Sequence, residues 1–447
     1  MTNATSSHSA QPDPQLDDRG YSEDLIREIV HCCPQRGPAS AGERKAQEIL
    51  ARELALCGGH VAYPPFRFNV SLYAVLALHF GLATLATAIV QISPLTALIL
   101  HLLVAVSYGL DSTRRGYLLR RLFRFRQSQN LVVTLAARSA TRLRILLVAH
   151  ADAAFTGLQF HPNLISAGAE NTQMFPWRWT RRPMLLATFG LLWLASWDVY
   201  VIVAGEFWSR LWLTYGAWGL FFGLMFLLNL DVVCRRQVVA GANDNLTGCA
   251  ALPVLARRLV PDLPDDVELV CVATGSEEAG NGGAFHLARQ MQHLWSTQNT
   301  IVVGLDSLTN GRLRILRDGE IVPIPRTEWM HELALNVAAQ EPRFASLTPY
   351  EIPAGGTDVI PFANRGYDQL CLGCIEDDLG TPKYYHTLDD TPDNLDYNQL
   401  MDSVDYTEQL VRALVSVRQR PEPRADNQVS EALMTGAVNA LPSSASC

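Results

Sequence analysis

Seven side chains that can bind a metal or move a proton each stand where an apolar, strand-like run of sequence gives way to a turn. They are His150, Asp152, Asp244, Glu277, Glu278, Asp306 and His386. Imidazole nitrogens and carboxylate oxygens are ligands that divalent transition metals take in proteins. Two histidines and three carboxylates, with one carboxylate shared, would satisfy two neighbouring ions that activate a water. The set therefore predicts metal-assisted chemistry.

The adjacent glutamates and Asp152 are expected to have different roles. Successive side chains on an extended backbone point to opposite faces, so Glu277 and Glu278 cannot easily serve the same ion. One of them would bind metal while the other faces the substrate. Asp152 lies two residues beyond His150. On an extended segment it would be on the same side as His150, where it would orient the imidazole or tune the base without being a ligand.

Six short sequence blocks carry these residues in a characteristic order. They read LLVAHADAAFTG, AGANDNLTG, VATGSEEAGNGGA, VVGLDSLTNG, GGTDVIPFANRG and YYHTLDDTPDN. In this order, from about residue 130 to residue 420, the chain resembles the zinc aminopeptidases and carboxypeptidases of the M28 peptidase family. Taken singly, each of these residues could be an ordinary polar residue of a surface loop. Their order along the chain favours a site.

The resemblance implies a role for each residue. His150 and Asp306 would hold one Zn²⁺ ion, Glu278 and His386 would hold a second, and Asp244 would bridge the two. Glu277 would be the general base that takes a proton from the activated water and later delivers it to the leaving amine. Glu277 and Asp152 are therefore the predicted catalytic residues.

The apolar runs predict an α/β fold, and the resemblance implies the zinc-exopeptidase type of it, with a mixed central sheet flanked by helices. Short aliphatic runs at 143–149, 267–275 and 300–306 are typical of buried strands, and helical patterns separate them. Ligands at the carboxyl ends of such strands match the usual position of sites in α/β sheets. Two amphipathic helices are expected before them, at 23–31 and 40–57, the second with Ser40 as its cap and Gly58 as its stop.

Four long apolar runs, at 71–92, 95–110, 184–205 and 212–230, predict transmembrane helices. Ser93-Pro94 would turn the first pair into one hairpin (70–111), and the second pair would form another (184–231), with Trp177, Trp179, Trp208 and Trp212 near the span ends. Each hairpin returns to the side it left. The segments 21–69, 112–183 and 232–420 would then build one peptidase domain, with disordered ends at 1–20 and 421–447.

Flanking charge predicts that this domain lies in the cytoplasm, because arginines accumulate on its side of the spans. These are Arg67, Arg114, Arg115, Arg120, Arg121, Arg124, Arg126, Arg178, Arg181, Arg182, Arg235 and Arg236. Only Arg210 occupies a turn on the other side. Most of the long stretch between His150 and Asp244 is the insertion Phe160 to Val233, which should emerge beside the active site.

Three ionisable residues, His79, His101 and Asp198, fall inside the apolar runs. The favoured interpretation is that Asp198 is near a span end or protonated, and that the two histidines are neutral and bonded to each other. A contact between Asp198 and a histidine across the hairpins would instead favour a functional role. Cys371 and Cys374 form a CxxC pair that is interpreted as part of a buried strand, with a redox or zinc role as the alternative.

The predicted function is that of a multi-pass membrane zinc exopeptidase, an aminopeptidase, acting on peptides. A net charge of −8 indicates no nucleic-acid partner, and the oligomeric state is left open. One alternative is a single-zinc enzyme like the glutaminyl cyclases, which would release ammonia from N-terminal glutamine. Another is a non-catalytic receptor or scaffold, although such proteins typically lose metal ligands and none is missing here.

Overall fold

The computed structural model of the protein describes residues 17–165, 183–317, 321, 324–353 and 355–417. The helices are α1 Asp18–Cys32, α2 Ala41–Ala55, α3 Leu72–Ile89, α4 Pro94–Ser112, α5 Pro183–Ala204, α6 Leu211–Arg235, α7 Gly248–Leu259, α8 Gly282–Met291, α9 Glu328–Ala338, α10 Ile360–Ala363 and α11 Tyr397–Val417. The strands are β1 His60–Ala62, β2 Pro65–Asn69, β3 Phe125–Gln129, β4 Leu131–Leu135, β5 Leu143–His150, β6 Val267–Thr274, β7 Thr300–Leu305, β8 Arg312–Arg317, β9 Thr348–Glu351 and β10 Asp368–Ile375.

An eight-stranded mixed sheet forms the centre of the fold, in the order β1-β4-β6-β5-β7-β10-β8-β9. The four middle strands, β6, β5, β7 and β10, are parallel to one another. Strands β4 and β8 flank them in the antiparallel sense. Because the middle strands run in one direction, their carboxyl ends meet along one edge, which is where side chains from different strands can converge.

Two apolar layers cover the sheet and explain why the central strands are almost entirely buried. Helices α1, α2, α7, α9 and α11 pack on one face, and α8 with the segment around Phe362 packs on the other. The predicted α/β fold and its three central strands are confirmed. The CxxC cysteines Cys371 and Cys374 are both buried in β10, as the strand interpretation expected.

The predicted N-terminal helices are also present. The Ser40 side chain caps α2 by accepting the backbone N–H of Glu43 at 3.0 Å. The chain leaves α2 through Gly58, whose φ of +82° lies in the left-handed region that favours glycine.

Helices α3 to α6 are long and apolar enough to cross a membrane, and they match the four predicted spans. We call α3 with α4 hairpin 1, and α5 with α6 hairpin 2. The hairpins pack together, with α3 against α6 and α4 against α5. Their outer surface exposes large apolar side chains, including Val203 (82% exposed), Leu213 (79%) and Leu220 (76%). Such a surface is compatible with insertion into a bilayer.

A buried polar cluster joins the two hairpins. The imidazole Nδ1 of His101 on α4 lies 2.6 Å from Oδ2 of Asp198 on α5, and the Tyr215 hydroxyl on α6 donates to Oδ1 of Asp198 at 2.7 Å. His79 instead contacts the Ser107 hydroxyl at 2.8 Å. The expectation that the two histidines bond to each other is therefore wrong, because each has a nearer polar partner on a facing helix. Asp198 instead makes the contact with a histidine across the hairpins that favours a functional role, and the role that these contacts support is to join the hairpins.

Hairpin 2 is joined to the sheet domain by a short paired stem. Val239 N–H donates to the Ala154 carbonyl at 3.0 Å, and Thr156 N–H donates to the Gln237 carbonyl at 2.9 Å. Beyond the stem, the Asp231 carboxylate at the end of α6 accepts the Leu158 N–H at 2.7 Å. The two ends of the insertion thus meet.

Part of the sequence-based expectations falls outside the described residues. This applies to Trp177, Trp179, Arg178, Arg181 and Arg182, and to the parts of the predicted disordered ends within 1–16 and 418–447. The predicted disorder at 1–20 is wrong for 18–20, because α1 begins at Asp18. The other two tryptophans expected near the span ends, Trp208 and Trp212, are exposed near the facing ends of α5 and α6. The division into one peptidase domain and two membrane hairpins stays a prediction.

Candidate metal centre and active site

The carboxyl ends of the central strands bring most of the predicted site together. His150 is the last residue of β5, Glu277 and Glu278 lie in the turn after β6, and Asp306 directly follows β7. Asp244 lies in the irregular turn Ala242–Thr247, before α7. His386 lies in the loop after β10, with a φ of +55° that few residues other than glycine adopt.

The ligand atoms form two groups that share one residue. His150, Asp244 and Asp306 form one group, while Asp244, Glu278 and His386 form the other, with the ligand atoms of each group within 4.8 Å of one another. The two carboxylate oxygens of Asp244 face different histidines. Oδ1 lies 3.1 Å from Nε2 of His150, and Oδ2 lies 3.3 Å from Nε2 of His386. The residues predicted for each ion thus lie together, while their binding of metal stays a prediction.

The paired glutamates differ from the expectation in one respect. They occupy a turn and not an extended strand, so alternation of faces is not what separates them. Both reach the neighbourhood of His150, forming a third close group with it. The imidazole nearest to each glutamate differs, because Glu278 Oε2 lies 3.3 Å from Nε2 of His386 and Glu277 Oε2 lies 4.0 Å from Nε2 of His150.

Asp152 supports the site through the backbone as well as its side chain. Its carboxylate accepts the N–H groups of Glu277 and Glu278, both at 3.0 Å, and so fixes the turn that carries them. Its backbone carbonyl accepts from His150 Nδ1 at 3.2 Å, while its nearer side-chain oxygen is 3.7 Å away. Because a carbonyl can only accept, Nδ1 carries the proton and Nε2 is free to face a metal. Burial raises the pKa of Asp152 to about 6.

Sequence reasoning missed Asp390, which supports the shared ligand. Its carboxylate accepts the N–H groups of Asn243 at 2.6 Å and of Asp244 at 3.2 Å, and burial raises its pKa to about 7. The signal available in the sequence was its place in the same block as His386. Asp358, in the GGTD block, is also buried here and accepts a hydrogen bond from the Thr274 hydroxyl.

The site contains more buried negative charge than its own cations balance. Burial raises the pKa of Glu277 and Glu278 well above the usual range, and burial together with the neighbouring Asp244 raises the pKa of Asp306 to about 7. Glu278 Oε1 and His386 Nε2 are buried without a hydrogen-bond partner. Bound cations would lower these carboxylate pKa values and complete the unpartnered atoms. The donor set of nitrogen and oxygen atoms therefore fits zinc-type ions.

A cleft opens onto these ligands. The cleft is lined beyond the metal-type residues by uncharged side chains, among them Leu316, Tyr350, Ile352, Pro382 and Tyr385.

Two aromatic side chains from the inserted segments contact His386 on the side away from the ligand group. The Tyr73 hydroxyl, from the first turn of α3, lies 3.3 Å from Nδ1 of His386. The Phe160 ring, at the start of the insertion, packs edge-on against the His386 ring with centroids 4.6 Å apart. The predicted proximity between the insertion and this site is thus observed in the contact of Phe160, while the contact of Tyr73 had no signal in the sequence.

The fold and the clustered donors together define a zinc-exopeptidase type of protein. Residues 229–411 match the model of peptidase family M28. Over this segment the chain is similar to the M28 peptidase family, as the resemblance implied. No curated protein sequence matches the chain significantly.

Solved structures agree on the fold. A zinc aminopeptidase from Bacillus subtilis is 12% identical, with 89% of this chain and 95% of that chain covered and a TM-score of 0.53. A leucine aminopeptidase precursor from Bacteroides thetaiotaomicron is also 12% identical, with 89% and 98% covered and a TM-score of 0.50. A glutaminyl cyclase from the same organism is 12% identical, with 88% and 97% covered and a TM-score of 0.51. At these identities the likeness shows the fold alone, and the family supports a zinc-dependent hydrolase.

Proposed function

We propose that this protein is a membrane-anchored zinc aminopeptidase that binds two zinc ions. The observation that carries the proposal is the sharing of Asp244 between two ligand groups, one with His150 and Asp306 and the other with Glu278 and His386. A carboxylate that offers one oxygen to each side is the arrangement expected of a bridging ligand in a two-metal site.

The ions would supply Lewis-acid polarisation of the scissile carbonyl and lower the pKa of the attacking water. The protein's own residues hold the ligands in place. Asp152 fixes the His150 tautomer and the Glu277-Glu278 turn, and Asp390 fixes the backbone of Asp244. Such outer partners keep a ligand in the geometry that binding requires.

Glu277 is the proposed general base. Its Oε1 accepts a hydrogen bond from the Asn281 amide at 2.5 Å, so its Oε2 is the oxygen left to face the ligand groups. This oxygen would take a proton from the water and later give it to the leaving amine. Burial is the first cause of the raised pKa of Glu277 in the metal-free protein, and bound cations would lower this pKa again, which suits a group that must both accept and return a proton.

The cleft supports action at a free amino terminus. A C-terminal carboxylate would need a cationic partner, and the described lining residues other than the metal-type set are uncharged. The apolar lining around Leu316, Ile352 and Tyr385 supports an apolar residue at the cleaved end.

The proposed membrane arrangement places the active-site domain in the cytoplasm. Its support is the exposed apolar surface of the hairpins and the arginines on the domain side of the spans. The test uses an impermeant maleimide on intact cells and on inverted vesicles. Cys32 and Cys234, both exposed on the domain side, should react only in the inverted vesicles. Reaction in intact cells would reverse the assignment.

The activity test uses the full-length protein in detergent, loaded with zinc. Peptides with free, acetylated and glutamine amino termini are followed for released amino acids and for ammonia. Release of single residues from free amino termini only is the expected result. Ammonia from N-terminal glutamine without hydrolysis would identify a cyclase, and inactivity of the zinc-loaded protein towards all the peptides would favour the receptor or scaffold.

A matched pair of glutamate variants separates catalysis from folding. Glu277→Gln should lose about a hundredfold to ten-thousandfold in kcat while keeping its zinc, because it removes only the proton acceptor. Glu332→Gln changes an exposed glutamate on α9 and should behave like the wild type. Full activity of the Glu277 variant would rule out its role as the base.

A further inference from the structure

Hairpin 1 re-enters the sheet domain through a buried ionic cluster that lies against the proposed base. Asp111, next to last in α4, holds the Arg120 guanidinium through both of its oxygens, at 2.7 and 2.8 Å. Arg120 also donates to the carbonyl of Ala279 and lies between the rings of Phe68 and Tyr117, at 5.0 and 5.1 Å from their centroids. The end of the hairpin is thereby bonded to the turn that carries the paired glutamates.

A second arginine of this cluster reaches Glu277 through one intermediate side chain. Arg114 is buried and is fixed at the end of α4, where its Nη1 donates to the carbonyls of Asp111 and Ser112 at 3.0 and 3.1 Å. Its Nε donates to Oδ1 of Asn281 at 2.6 Å. The Nδ2 of Asn281 in turn donates to Oε1 of Glu277 at 2.5 Å.

The direction of these two hydrogen bonds follows from the donors and acceptors available. A guanidinium can only donate, so it engages the oxygen of the Asn281 amide and turns the amide NH₂ group towards Glu277. Both ends of the amide are thereby engaged, the oxygen by Arg114 and the NH₂ group by Glu277. Arg114 therefore holds the Asn281 side chain in the place and orientation from which it donates to Glu277.

We propose that Arg114 is a positioning residue for Glu277, acting through Asn281, so that hairpin 1 is a working part of the active site as well as an anchor. The inference rests on the proposed function, because it takes Glu277 to be the general base. Arg114 belongs to the segment that leaves the membrane, and the proposal therefore ties the catalytic geometry to the seating of that hairpin.

The test measures kcat, KM, zinc content and thermal stability of full-length variants. Arg114→Met should lower kcat about 10- to 100-fold, because displacing a catalytic group by about 1 Å can cost that much, while KM and zinc content stay near wild type. Arg114→Lys, which keeps a donor, should recover much of the kcat. Arg115→Met is the matched control, because Arg115 is the exposed neighbour, and it should change nothing.

A variant that combines Arg114→Met with Asn281→Gly tests whether Arg114 acts on Glu277 through Asn281 or independently of it. Asn281→Gly removes the intermediate side chain and tolerates the left-handed φ of +55° at this position. If Arg114 acts through Asn281, the double variant should lose no more kcat than Asn281→Gly alone. A double variant whose loss of kcat equals the product of the two single losses would overturn the inference. An unchanged kcat in Arg114→Met would also overturn it, as would a loss of zinc content and stability in that variant that Arg114→Lys does not restore.

Glu277→Gln in the same assay distinguishes a failure of the positioning role from a failure of the proposed function. If Glu277→Gln is inactive while Arg114→Met has wild-type kcat, the positioning role fails and the proposed function stands. If Glu277→Gln is fully active, the general-base assignment fails, and the positioning role of Arg114 fails with it.

Discussion

A buried cluster of histidine and carboxylate side chains lies in the sheet domain, and another lies between the hairpins. In the sheet domain the carboxylates outnumber the imidazoles, and atoms such as Glu278 Oε1 have no protein partner. Between the hairpins a single carboxylate, Asp198, has both oxygens engaged, by His101 and Tyr215. The first cluster needs something from outside the protein, whereas the carboxylate of the second is satisfied within it.

This difference indicates what each cluster does. Buried carboxylates without counter-charges are costly, so a set of them persists where it binds cations or substrate. A carboxylate with two hydrogen-bond donors on neighbouring helices is a way to hold helices together in a medium without water. The same residue types therefore predict metal binding in one region and helix association in the other.

The largest expected effect comes from removing the shared ligand. Asp244→Asn should lower activity about 10³-fold and reduce the zinc content, because metal ions contribute several kcal/mol to stabilising a hydrolytic transition state. Zinc per chain, measured by mass spectrometry, checks the cause. The matched change in the other cluster, Asp198→Asn, should leave the zinc content as it is. Equal zinc in both variants would contradict the comparison.

Zinc should also counteract the loss of stability that the metal-free protein shows as the pH rises. In the metal-free protein, burial raises the pKa of Asp306 from 3.8 to about 7, so the folded state holds this proton more tightly than the unfolded state. Metal-free stability should therefore fall as the pH rises from about 4 to 7. Zinc replaces the proton and should stabilise by about 4 kcal/mol at a thousand times its Kd. Its effect on Tm should be larger at pH 7.5 than at pH 5.5, and a pH-independent zinc effect would contradict this.

A smaller effect is expected from the tyrosine of α3 that contacts His386. Tyr73→Phe removes the hydroxyl 3.3 Å from His386 Nδ1 and should weaken zinc binding about 10- to 100-fold, as loss of an outer partner of a metal ligand typically does. Competition with a chelator measures the zinc affinity. Tyr63→Phe, which changes an exposed tyrosine between β1 and β2, is the control. An affinity equal to wild type would show that Tyr73 only fills space.

The smallest effect is expected in the hairpin cluster. Asp198→Asn should destabilise the hairpin bundle by about 1 kcal/mol, in the range measured for hydrogen bonds between membrane helices. Unfolding in mixed micelles measures this, with Ser196→Ala, an exposed change on the same helix, as the control. A large loss of peptidase activity with intact zinc would instead show that the two clusters are coupled.

The sheet could be predicted from local signals in the sequence, whereas the division of the metal-type residues into two ligand groups came from the resemblance to the M28 family. Aliphatic runs such as 143–149 and 300–306 indicate buried strands, and the residues at their carboxyl ends then meet by topology. The long apolar runs were equally clear. Each of these features could be recognised without knowing which distant segments touch.

The supporting contacts depended on packing between segments far apart in sequence. Asp390 accepts a hydrogen bond from the backbone of Asp244, and Arg114 donates one to Asn281. No periodic pattern in the sequence indicates either contact. The backbone at Glu277 and Glu278 turns just after β6, so the alternation rule for strands did not apply there. The pairing of His101 with Asp198 was also not predictable, because it depends on which helix of one hairpin faces which helix of the other.

The paired stem beneath hairpin 2 has a consequence for how such a protein can arise. Because Ala154 and Thr156 are already bonded to Val239 and Gln237, the sheet domain holds the two ends of the insertion together whatever lies between them. Lengthening a loop whose ends are closed in this way adds little entropic cost. A water-soluble ancestor could therefore have acquired a pair of lipid-facing helices at this point in one step without losing its catalytic scaffold.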